Sequence, residues 1–177
     1  MTLQAWPHDE LPESVRWQAV SFMRVAWPSI DGGMLRHTYP EALQPIHYAV
    51  TEGQLLLSYA ATFTTQVSQE KTTFEAVCLG NVFTYPGARH RGYARQVVDA
   101  ATLAIRSSGA DVAALLCSPE LTPFYATSGW VPTPESATVT VDAEVVDAVR
   151  MMLFLSPRGR GARSRLESLP LHVPFPW

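Results

Sequence analysis

The stretch Val82-Phe83-Thr84-Tyr85-Pro86-Gly87-Ala88-Arg89-His90-Arg91-Gly92-Tyr93-Ala94 constrains this chain more than any other. It opens on β-branched and aromatic residues, turns at Pro86-Gly87, and continues into Ala94, Val97, Val98, Ala101 and Ile105 at helical spacing. The order is strand, tight turn, loop and helix, with the helix running to about Ser107 and stopped by Gly109. Such a junction gathers unpaired backbone N–H groups and the positive end of a helix dipole at one point, which suits a phosphate or pyrophosphate. Gly92 and the small Ala94 let a ligand approach the backbone, and Arg89, His90 and Arg91 add charge.

The 177 residues suffice for one domain with a real core. A net charge of -3 argues against nucleic-acid binding, which needs a basic footprint, and leaves a cationic small molecule open as ligand. The longest apolar runs, such as 149–155 with Arg150 inside it, are too short to span a bilayer. Residues 1–10 carry acids and a proline rather than a signal layout, so a cytoplasmic protein without membrane partners is expected. Cys78 and Cys117 lie in apolar, strand-like runs and read as buried thiols, with a disulfide as the alternative. No metal is expected.

Residues 12–27 predict a first helix, with Pro12 in its first turn and Pro28 ending it. A turn-rich connection, 28–45, follows. Ile46 to Val50 and Gln54 to Thr64 read as a hairpin about Thr51-Glu52-Gly53, and Thr72 to Thr84 as a third strand of an antiparallel meander. After the central helix, Val112-Ala113-Ala114-Leu115-Leu116 is an apolar run suited to a strand buried on both faces, parallel to the strand before the helix. Ser118-Pro119-Glu120 opens a short helix ending at Gly129, and 137–141 and 149–155 predict two late strands. The expected organisation is a domain over 1–155 and an Arg- and Pro-rich tail over 156–177, packed on the domain or on a second copy. The run Arg158 to Arg165 reads as solvent-facing, with phosphate or subunit contact as alternatives.

Pro123-Phe124-Tyr125-Ala126-Thr127-Ser128-Gly129-Trp130 resembles the Phe-Tyr-x-x-x-Gly-Trp segment of the GCN5-related N-acetyltransferases, the GNAT family. Val-x-x-x-Pro-x-x-Arg-x-x-Gly-x-Ala, from Val82 to Ala94, is similar to the same family's acetyl-CoA motif. The element order agrees over roughly 12–155, and the two motifs agree sharply over 79–131. The resemblance implies an α/β (α+β) GNAT fold, a mixed, mostly antiparallel sheet with a splayed parallel strand pair and flanking helices.

It further implies acetyl-CoA as donor, with pyrophosphate on the backbone of Arg89, His90, Arg91, Gly92, Tyr93 and Ala94. The pantetheine arm would pair with the backbone of Val82, Phe83 and Thr84. Tyr125 matches the general acid that protonates the departing thiolate; Phe124 and Trp130 read as core. The family's strand-borne Glu is missing, since Gly80 stands at its position and Glu75 is the nearest strand acid. A water relay, a carboxylate from 28–45, or the chain's terminal carboxylate remain as bases. A ping-pong route through Cys117 is a minor alternative.

For the acceptor, Trp130-Val131-Pro132-Thr133-Pro134 and the terminal Trp177 are similar to features of the aminoglycoside 2'-N-acetyltransferases, where a terminal Trp carboxylate lies at the acceptor site. The resemblance thus gives Trp177 catalytic and acceptor-binding roles. Asp31 and Glu41 would rim the pocket and pair with a cationic sugar, and Asn81 would lie beside it. Acids are sparse for a polycation, so an acceptor with one amino sugar, of the kasugamycin type, is expected. The alternatives are an acetyltransferase of a protein N-terminus or another metabolite amine, and a non-enzymatic CoA-binding sensor or interaction domain. A homodimer would suit the apolar tail.

Overall fold

The structure is a computed structural model and describes residues 1–28, 35–134, 139–141, 144–146, 148–168 and 170–172. The first half runs β1 (Thr2–Pro7), α1 (Glu13–Ala26), β2 (Ile46–Glu52), β3 (Leu55–Gln69), β4 (Thr72–Thr84) and α2 (Tyr93–Arg106). The second half runs β5 (Val112–Cys117), α3 (Thr122–Ala126), β6 (Val131–Pro132), β7 (Val139–Val141), β8 (Glu144–Val146) and β9 (Val149–Phe154). It closes with α4 (Pro157–Gly161), α5 (Arg163–Ser168) and β10 (Leu171–His172). The chain forms two compact units, 1–63 with 81–101 and 64–80 with 102–177. The long elements β3, β4 and α2 run through both.

In the first unit β1, β2 and β3 are antiparallel neighbours. The register runs from Thr2↔Thr51 to Pro7↔Ile46 and from Ile46↔Thr62 to Glu52↔Leu55, with a bulge after Val50. Gly53 supplies the left-handed turn residue (φ 59°) between β2 and β3. α1 begins directly after Pro12 and buries Val15, Ala19, Val20 and Met23 on one face. β1 was not expected from the sequence. Most of its side chains are exposed and, among the described residues, it pairs along one edge only, so neither an alternating apolar pattern nor a buried run marks it.

In the second unit the strand order is β6-β9-β5-β4-β3-β10-β7-β8. β4 and β5 are parallel from Ala76↔Val112 to Cys78↔Ala114, and β9 pairs antiparallel with all of β5. This is the mixed, mostly antiparallel sheet that the motifs imply, with β4 and β5 parallel over three residue pairs and β10 parallel to β7 over two. Val112, Ala113 and Ala114 are fully buried, as the continuous apolar run predicts.

The last segment packs into this unit: Leu166 and Leu171 join Val67, Phe74, Ala76, Val112 and Met152 in one core cluster. Part of the arginine run is structural rather than merely solvated. Arg158 pairs with Asp111 at 2.6 Å and donates to the Thr73 carbonyl, and Arg163 pairs with Glu167 at 2.7 Å. Cys78 and Cys117 are free and buried, so the disulfide alternative falls.

Candidate functional site

Beyond Cys78 the edge of β4 that met β5 carries no strand among the described residues. Asn81 lies in this stretch in a left-handed conformation (φ 53°), which Asn tolerates better than most residues. Its Nδ2 donates to the Thr38 carbonyl at 3.1 Å, tying the connection before β2 to the strand. The Tyr85 N–H reaches the Leu57 carbonyl at 2.8 Å, and Ser58 Oγ donates to the Phe83 carbonyl at 2.9 Å. With the Ser58 proton committed there, Thr84 Oγ1 is the donor in its 2.9 Å contact with Ser58 Oγ. Backbone direction alternates along a strand, so Val82 turns its N–H and C=O to the opposite edge. The Thr84 carbonyl accepts from Arg89 Nε at 3.3 Å.

The loop tightens at 86–88, where the Ala88 and Arg89 N–H groups are satisfied by Tyr85 and Pro86 carbonyls at 2.8 and 3.3 Å. His90 (φ 61°) and Gly92 (φ 80°) are both left-handed, and such turns aim successive N–H groups to one side. The Gln96 N–H bonds the Gly92 carbonyl at 3.1 Å, so Gly92 is the cap of α2. The N–H groups of Tyr93, Ala94 and Arg95 therefore precede the helical ladder. A Cβ on Gly92 would meet nothing within 4 Å, so the loop is open on that side at the start of α2. Arg89, His90 and Arg91 are exposed around it. Tyr93 is different: its side chain is buried and its hydroxyl donates to Met1 Sδ, leaving only its backbone for a ligand.

Tyr125 belongs to the second unit. Its ring is 5% exposed and meets Phe124 edge-on at 5.0 Å, while Trp130 is buried with its Nε1 donating to Thr102 Oγ1 at 3.0 Å. Burial, with Cys117 as a lesser cause, holds the Tyr125 phenol above its ordinary range. Burial likewise pushes the Cys117 thiol up, which keeps it protonated and makes it a poor nucleophile.

Glu41 opens a 3-10 turn and lines, with His8 and Asp9, a cavity of about 330 Å³. Asp31 and Trp177 lie outside the described residues. Glu75 is exposed and accepts from Gln66 Nε2 at 2.8 Å. A groove of about 420 Å³ runs along Trp17, Phe22, Leu55, Leu56, Phe83 and Tyr85, with Phe22 stacked on Phe83 at 4.1 Å and no carboxylate in its lining. Ser58, Thr38 and Phe22 escaped the sequence reading, because nothing local in their segments marks them as neighbours of β4. No group of three or more His, Cys, Asp or Glu among the described residues could hold a metal, and no described helix is long and apolar enough to cross a membrane.

Residues 5–133 match the family described as "Acetyltransferase (GNAT) domain". Among solved structures, Escherichia coli ElaA aligns with a TM-score of 0.60 at 19% identity, covering 85% of this chain and 97% of its own. An acyl-CoA N-acyltransferase from Pseudomonas aeruginosa aligns with a TM-score of 0.57 at 17% identity, covering 85% and 97%. A variant of the AtaT toxin, bound to the C-terminus of the antitoxin AtaR and acetyl-CoA, aligns with a TM-score of 0.55 at 12% identity, covering 86% and 93%. These likenesses are of fold. No curated protein sequence matches the chain significantly.

Proposed function

Because the chain belongs to the GNAT acetyltransferases, we propose that it moves an acetyl group from acetyl-CoA to the primary amine of a small molecule, an aminoglycoside-type antibiotic bearing one amino sugar. The observation that carries the donor half is the Gly92-capped amide row opening α2, with exposed basic residues around it. Arg89 to Ala94 would hold the pyrophosphate, and the open edge at Val82 would pair with the pantetheine amide as an added strand does. A structural neighbour solved with acetyl-CoA supports the same donor.

The chemistry is direct transfer. The amine nitrogen bonds the thioester carbonyl carbon, the C–S bond breaks, sulfur gains a proton and nitrogen loses one. Much of the rate would come from holding the two reactants together. Tyr125 would hydrogen-bond the departing sulfur. A phenol raised by burial is a weak acid, but the environment that raises it also raises the neighbouring thiol of Cys117, so a departing thiolate there would be correspondingly basic.

The aminoglycoside acceptor rests on Asp31, Glu41, Asn81, Trp177 and the segment after Trp130. The largely apolar groove beside Phe83 favours a second reading, a protein N-terminus or metabolite amine carried on an apolar body, since its lining offers a polycation no charged partner. Purified protein with acetyl-CoA and a panel of aminoglycosides, free-amine peptides and arylalkylamines, followed by free-thiol release, separates the two. Release with amino sugars alone supports the first reading, and release with apolar amines alone the second. Calorimetric binding of CoA with no release at all would sink both and leave a CoA-binding interaction domain.

A further inference from the structure

A buried polar chain runs through the first unit, and no step above uses it. Tyr59 Oη lies 2.5 Å from His47 Nδ1, and His47 Nε2 lies 3.2 Å from His8 Nδ1. Tyr59 and His47 are wholly inaccessible, and Thr38, whose side chain hydrogen-bonds Tyr59, is 5% exposed. At the inner end the Thr38 carbonyl holds Asn81, immediately before the strand residues assigned to the thioester arm. At the outer end His8 opens on the cavity that it shares with Asp9 and Glu41. Polar groups buried this fully are costly unless linked, and a linked series from a strand break to the surface is a path for protons.

We propose that Thr38, Tyr59, His47 and His8 form a relay that carries the proton lost by the acceptor amine from beside Asn81 to the surface. It rests on the acetyl-transfer reading and answers the missing strand carboxylate at Gly80. Thr38 Oγ takes the amine's proton and passes its own to Tyr59 Oη. Tyr59 passes its proton to His47 Nδ1, His47 passes the Nε2 proton to His8 Nδ1, and His8 releases one from Nε2 to solvent beside Asp9 and Glu41. One proton enters, one leaves, and no member ends charged. The groups facing His47 fit this neutral mode. Burial, then His8, then Arg16 of α1 hold its pKa down to about 3, so His47 conducts without resting as an imidazolium. Arg16 also donates to the His8 carbonyl at 3.2 Å and orients that residue.

Two arms test this. In acetyl transfer, Thr38→Val, Tyr59→Phe and His8→Gln should each lower kcat by tenfold or more with KM for acetyl-CoA unchanged, and imidazole in the buffer should restore the His8→Gln variant. Unchanged kcat in folded Tyr59→Phe and His8→Gln overturns the relay. The second arm needs no acceptor: by NMR, exchange of the buried Tyr59 hydroxyl proton with water should slow by tenfold or more in His8→Gln. Exchange unchanged from wild type also overturns it. Slowed exchange without acetyl transfer to any amine would retain the proton path and refute the proposed function instead.

Discussion

The Asn81 side-chain amide donates to the Thr38 carbonyl at 3.1 Å from a left-handed backbone near the end of β4. The residue thus does two things at once: it breaks the strand's regular course and anchors the connection that precedes β2. Asn81→Gly keeps the backbone freedom and loses the bond, whereas Asn81→Ala loses both. Urea unfolding should show a loss of about 1 kcal/mol for Gly and about 2 kcal/mol for Ala. Both should raise KM for the acceptor several-fold while leaving acetyl-CoA affinity intact. Equal stability losses would mean that the backbone conformation contributes little.

On the proposed function, Gly92 lets the ligand approach the backbone. Its φ of 80° disfavours a side chain, but a Cβ there meets no neighbour within 4 Å. Gly92→Ala should therefore cost only about 1 kcal/mol of stability from backbone conformation. If the ligand approaches Gly92 closely, calorimetry should show acetyl-CoA binding weakened by tenfold or more in this variant. Wild-type affinity would move the pyrophosphate elsewhere.

Tyr125→Phe keeps the packed ring and removes the hydroxyl. On the acid role, kcat should fall by roughly 10²-fold with acetyl-CoA affinity unchanged, the loss given by a positioned proton donor. Steady-state kinetics with calorimetry checks this, and an unaltered kcat assigns Tyr125 to packing alone.

Gly159 has a structural task that the arginine-rich sequence around it conceals. A Cβ there would lie 2.0 Å from the Asp111 carbonyl oxygen and 2.9 Å from its carbon, so the backbone itself must move. The same aspartate receives Ser156 Oγ at 2.7 Å and Arg158 at 2.6 Å, and these bonds, with the Ser156 one foremost, hold its carboxyl below the usual range. Gly159→Ala should lower stability by about 3 kcal/mol or more, read from the urea midpoint. A loss under 1 kcal/mol would contradict so tight a contact.

His47 makes stability depend on pH. Its folded pKa is about 3 against 6.5 for an unperturbed imidazole, so the unfolded chain binds the proton first as pH falls. Its contribution is whole above pH 6.5 and is lost progressively down to about pH 3. Between pH 7 and pH 4.5 the loss should be about 2–3 kcal/mol. Unfolding curves at the two pH values should show a drop smaller by that amount in His47→Gln, and an identical drop would remove His47 as the cause.

The loop before α2 was legible because it is local. Pro86-Gly87, Gly92 and the apolar period from Ala94 to Ile105 each act within a few residues, and the helix cap at Gly92 forms where they indicate. β5 was equally plain, since a strand covered on both faces leaves an unbroken apolar run. β1 was not, because an exposed edge strand leaves no pattern. The last segment was expected to pack, but which of its residues enter a core was not legible: Leu166 and Leu171 carry no mark that separates them from the other apolar residues of the tail, and only the core they enter singles them out.

By itself the sequence determined the order of elements from α1 to α3, the two family motifs and the amide row at α2, all of which follow from short-range periodicity and turn chemistry. Tertiary structure decided the rest. His8 reaches His47 across 39 residues, and Asn81 reaches Thr38 across 43. Gly159 meets Asp111 from the far side of β5 and β9 in sequence. Hydrogen bonds and steric contacts at such separations depend on where folding brings backbones together, and no local spacing encodes that.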